Sequence, residues 1–125
     1  MRPSKNGAGL GVLTSALAAA LVAAACISRR PPPEGADGPT IYEYQGCYVC
    51  HGDDGGGKSL GPALRGLSAN WTREELVHFF VDPDAACEAD ARLAELRGRY
   101  PAAMAKYDNL TEEQRTRLAE WLLTL

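Results

Sequence analysis

Metal-ligating side chains are scarce in this chain: its 125 residues hold four cysteines, two histidines and two methionines. Outside one cluster at Cys47, Cys50 and His51, only His78 and Cys87 could complete a zinc set, and they fall in unrelated segments. No stretch alternates apolar and polar residues with period two over a useful length, which argues against a half-buried sheet as the framework. A basic excess is missing too. Thr40 to Leu125 carries 9 Lys or Arg against 14 Asp or Glu, a net charge of −5. That leaves no electrostatic footprint for nucleic acid and steers the surface toward basic partners instead. No internal repeat is visible.

What is present begins with a bipartite N-terminus. Arg2 and Lys5 precede a charge-free run from Asn6 to Ser28, a positive segment before an apolar one, as in secretory signals. The run closes on "LVAAAC" and resembles a bacterial lipoprotein signal, which implies lipidation at Cys26; Ala23 stands where such signals usually carry Leu. An uncleaved anchor remains open, since about 20 apolar residues can span a bilayer, and so does an ordinary cleaved signal. All three export the rest of the chain. Residues 1–25 are therefore read as signal or anchor. Residues 26–39, with "RRPPPEGADGP", are read as a Pro-rich spacer in extended conformation, and 40–125 as the domain.

Within the domain, Thr40 is expected to cap a helix through "IYEYQGCYVC". A glycine-rich loop comes next, with Gly61-Pro62 near its end. "TREE" (72–75) and "TEEQ" (111–114) have the form of capping boxes, each opening a helix. "DAACEADARLAELRGR" has helical composition, and Leu118, Trp121, Leu122 and Leu125 form one stripe on a terminal helix. The expectation is an all-α domain of three to five helices. About 86 residues bury only a modest core, and domains this short often need a staple.

Cys47, Cys50 and His51 spell C-x-x-C-H, the pattern of covalent haem attachment. Two cysteines one helical turn apart can hold the two edge positions of a porphyrin, which brings the adjacent imidazole beneath the iron. The rival readings are weaker. A thioredoxin-like disulfide needs a βαβ setting, and zinc needs further ligands at suitable spacing.

With "CYVCHG", "LGPAL", a methionine loop and a capped terminal helix in that order, residues 40–125 resemble a class I c-type cytochrome. The resemblance implies a small fold wrapped around one haem c, attached through Cys47 and Cys50, with His51 as proximal ligand. It implies that the Pro62 carbonyl accepts a hydrogen bond from the other nitrogen of His51, and that Leu64 packs on the ring. It places the distal ligand at Met104, the only methionine after the N-terminal run; Tyr107 matches an aromatic of the family, while Ala105 stands where a proline is usual. His78 is the rival ligand. Trp71, Tyr100 and Arg65 are possible donors to haem propionates, and Cys87 is left as an odd cysteine. The implied function is single-electron transfer without catalysis by the chain itself. It would take place on the periplasmic side of a bacterial membrane, with redox proteins of a respiratory chain as partners. The alternatives are a subunit of an oxidase or reductase complex, or a haem-based ligand sensor.

Overall fold

In the computed structural model, residues 30–125 are described, and their architecture is all-α with no strand among them. Six α-helices run in chain order: α1 (Gly38–Tyr44), α2 (Cys47–His51), α3 (Arg73–Val81), α4 (Pro83–Ala89), α5 (Ala91–Gly98) and α6 (Glu112–Leu122). A single 3-10 turn at Leu67–Ala69 interrupts the long loop between α2 and α3. Cys26 and the apolar run lie outside the described residues. No helix among those described is long and apolar enough to cross a membrane.

The helix count exceeds the expected three to five because two stretches expected as single helices are each broken once. Gly46 adopts φ 70°, ψ 23°, a left-handed conformation that ends α1 and lets α2 restart in a new direction. Asp90 is extended, and its Oδ1 accepts from the Arg92 amide at 2.8 Å, so it separates α4 from α5 and caps the latter. The first cap also differs. Asp37 begins α1, its Oδ1 accepting from Thr40 N at 3.0 Å, with Pro39 in the first turn where no amide donor is needed. Thr40 is the capped residue and not the cap. Both capping boxes form: Thr72 with Glu75, and Thr111 with Gln114.

The core is a crossing of α1 and α6, with α3 packed on the other side of α6. Ile41 and Leu118 are fully buried there, and Tyr42 meets Trp121 edge-on at 5.1 Å. Gly38 permits the crossing: a Cβ at that position would lie 2.2 Å from Trp121 Cβ. Leu118 and Leu122 of the expected stripe are buried, and Trp121 and Leu125 pack partly against the same cluster. The segment before α1 also belongs to this surface. Pro32 and Ala36 are buried, their carbonyls accepting from Gln114 Nε2 and Arg117 Nη1 of α6. The stretch read as a spacer therefore lies on the domain from Pro32 onward.

Candidate functional site

α2 is five residues long and consists of the cysteine–histidine motif itself. Its first cysteine, Cys47, is buried, while Cys50 and His51 are partly exposed. The loop after it folds back at once: Gly57 N donates to His51 O at 2.7 Å, and Leu64 N to Gly55 O at 2.7 Å. This return brings Gly61 and Pro62 against the motif. A Cβ on Gly61 would come within 3.0 Å of Cys50 O and 3.2 Å of His51 Cε1, so glycine is what lets the backbone lie flat on the imidazole.

His51 Nδ1 then sits 2.8 Å from Pro62 O. The carbonyl can only accept, so Nδ1 carries the proton and Nε2 keeps its lone pair. Burial pushes the His51 pKa below its usual value, offset in part by the Pro62 carbonyl. A neutral imidazole with one nitrogen anchored and the other free is the form a metal ligand requires. Behind the motif, Tyr42 Oη donates to Gly52 O at 2.6 Å and fixes the helix end where the loop departs.

One cavity of ≈ 460 Å³ gathers the expected residues: Cys47, Cys50, His51, Pro62 and Met104 all line it. Its wall is mainly apolar, with Leu64, Leu67, Leu76, Phe79, Phe80, Leu93 and Leu122 among the contributors. Trp71 and Tyr100 line it as well, whereas Arg65 does not and instead pairs with Asp54 at 2.5 Å on the surface. His78 is exposed and lines a separate shallow groove beside Glu74, Glu75 and Asp82. Cys87 is half-buried and faces the main cavity. Among the described residues no three His, Cys, Asp or Glu side chains assemble into a metal cluster.

Three features of the site escape a reading of the sequence. Asp84 and Arg97 pair at 2.9 Å and both line the cavity. Gln45, buried at 6 % exposure, lines it too and accepts from Asn109 Nδ2 at 3.2 Å. Tyr107 N donates to Phe80 O at 2.8 Å, which ties the Met104 loop to α3. None of these carries a local signal, because each depends on segments far apart in the chain.

The residues present fit a haem. An apolar slot could take the ring, two thiols one turn apart could meet its edge, and a neutral imidazole and a thioether are the donor types of a His/Met haem. No curated protein and no solved structure matches the chain. The family model described as Cytochrome c matches residues 35–125, which covers every helix of the structure. Motif, cavity and family match coincide: this chain belongs to the cytochrome c family, and it is an electron carrier that works through haem.

Proposed function

We propose that the chain is an exported, membrane-tethered monohaem cytochrome c that carries single electrons, with Cys47 and Cys50 as the thioether attachments, His51 as the proximal ligand and Met104 as the distal ligand. The convergence of these four side chains on one apolar cavity, with His51 Nδ1 held 2.8 Å from Pro62 O, is the observation that supports it. Bound haem c supplies a one-electron iron couple. The chain's own residues do the rest. Pro62 fixes the imidazole tautomer and raises the basicity of Nε2. The apolar wall excludes water and favours the less charged ferrous state, as does a neutral thioether from Met104. His51 and Met104 would together satisfy the iron and leave no place for a substrate, which favours a carrier over a ligand sensor.

Exposed Val49 and Leu60, which also line the cavity, together with neighbouring Tyr48, offer an apolar contact where electrons would enter and leave. The net negative domain around it suits a redox partner with a basic face, in a respiratory chain or within an oxidase or reductase complex. Lipidation at Cys26 would hold the domain at the periplasmic side of a bacterial membrane.

Two experiments test the haem site. Acid–acetone extraction of the native protein should leave haem on the chain, and Cys47→Ala with Cys50→Ala should release it. Met104→Ala should lower the reduction potential and create carbon monoxide binding that the native protein lacks; equal potentials and equal affinities would remove Met104 from the iron. For the tether, mass spectrometry of the mature N-terminus should find an acylated Cys26. A chain that begins at Met1, or an unmodified start elsewhere, rejects that part.

A further inference from the structure

Just beyond Met104 the loop is tied to α3 by Tyr107, whose N donates to Phe80 O at 2.8 Å and whose ring meets Phe80 edge-on. Ala102, Ala103 and Ala105 surround the methionine and bring no polar side chain. Lys106 reaches Asp82 at 3.1 Å, but both side chains are about half exposed, and water competes for such pairs. One side-chain bond next to the loop is better shielded: Asn109 Nδ2 donates to Gln45 Oε1 at 3.2 Å across 64 residues of sequence.

The two ends of that bond stand at significant places. Gln45 caps the C-terminus of α1, two residues before Cys47, and is a buried part of the cavity wall. Asn109 lies five residues beyond Met104 and precedes α6. The pair therefore joins the segment that would carry the haem to the segment that would carry its distal ligand. Gln45 Oε1 accepts from Asn109, which orients this amide. One such bond contributes little to folding by itself. Its value lies in where it holds Asn109.

We propose that Gln45 and Asn109 form a latch that keeps the Met104 loop closed on the iron, both acting as positioning residues. This rests on Met104 being the distal ligand. Ala105, directly after the methionine, lacks the fixed φ that a proline would bring, and the latch adds a restraint from the α1 side of the cavity.

The test uses the full haem-loaded chain in the ferric state, titrated with imidazole as a competing ligand, with the shift of the main haem absorbance band as the signal, which is readable with or without a thioether on the iron. Gln45→Leu and Asn109→Ala should each bind imidazole about five- to tenfold more tightly than native protein, the change expected from losing one hydrogen bond. The double variant should be no different from either single one, because one bond is lost in all three. Imidazole affinity unchanged in both single variants, even with a lowered melting temperature, overturns the latch, as does strict additivity in the double variant. Should Gln45→Leu fail to load haem, Asn109→Ala at its half-buried site gives the same answer. Met104→Ala serves as the reference: if it binds imidazole no better than native protein, the ligand assignment itself fails, and the latch falls with it.

Discussion

Tyr42 shows how a single residue outside the motif governs it. Its ring packs on Trp121, and its hydroxyl donates to the Gly52 carbonyl at the end of α2, where exposure of the whole residue is 3 %. The phenol pKa is pushed up from 10.0 to about 12, chiefly by burial, with the negative charges of Asp54 and Asp53 adding to it. A folded-state value above the unfolded one means that the stabilisation is complete below pH 10 and is lost as pH rises through about 12. Tyr42→Phe is thus expected to cost about 1–3 kcal/mol near neutral pH, because the Gly52 carbonyl loses its buried donor. That gap between variant and native protein should close as pH rises from 10 to about 12, checked by urea denaturation at stepped pH. A gap constant across that range would mean that the hydroxyl titrates alike in the folded and unfolded states.

Among the elements, the crossing of α1 and α6 sets the position of the motif helix and the loop after it. The helices approach so closely at Gly38 that a methyl group would overlap Trp121 and reach within 2.9 Å of the Arg117 carbonyl. The obstruction includes backbone, so side-chain rotation alone cannot relieve it. Gly38→Ala should destabilise the domain by about 1–3 kcal/mol through overpacking, although alanine favours helix more than glycine does. Thermal denaturation of the haem-loaded protein measures this. The short length of α2 has a similar origin. Gly46 ends one helix so that the next can aim Cys47, Cys50 and His51 into a common cavity; an unbroken helix from Gly38 to His51 would keep the three on one face but turn that face elsewhere.

For the molecule as a whole, the cavity lies against the core: Leu76, Phe80, Leu118 and Leu122 belong to both. Its wall is mainly apolar, so leaving it to water in place of a ring would forgo much of the burial that holds so small a domain together. Small domains have only about 5–15 kcal/mol of stability in total. The chain without haem is therefore expected to lose most of its cooperative folding. Cys47→Ala with Cys50→Ala, purified free of haem, should show a broad thermal transition and reduced helical circular dichroism. A sharp transition at the native temperature would show that the helices pack without the cofactor. The same reasoning explains how residues 32–125 suffice for an all-α fold of this kind.

Much of this was determined by local sequence. The spacing of Cys47, Cys50 and His51, the Gly61-Pro62 pair, the single late methionine and both capping boxes are short-range patterns, and short-range geometry decides what they become. Asp37 as the first cap was also within reach, because Pro39 marks the first turn of a helix. Neither helix break announced itself by composition: Gly46 and Asp90 act through backbone conformation, and Leu, Ala and Glu around Asp90 favour a continuous helix. Only the tertiary structure decided that Cys87, Trp71 and Tyr100 face the cavity while His78 and Arg65 do not, and that Gln45 meets Asn109. The physical reason is one of range. A cap or a motif is satisfied within one turn of its own helix, whereas a cavity wall is built by folding distant segments together, and its members need share no pattern along the chain.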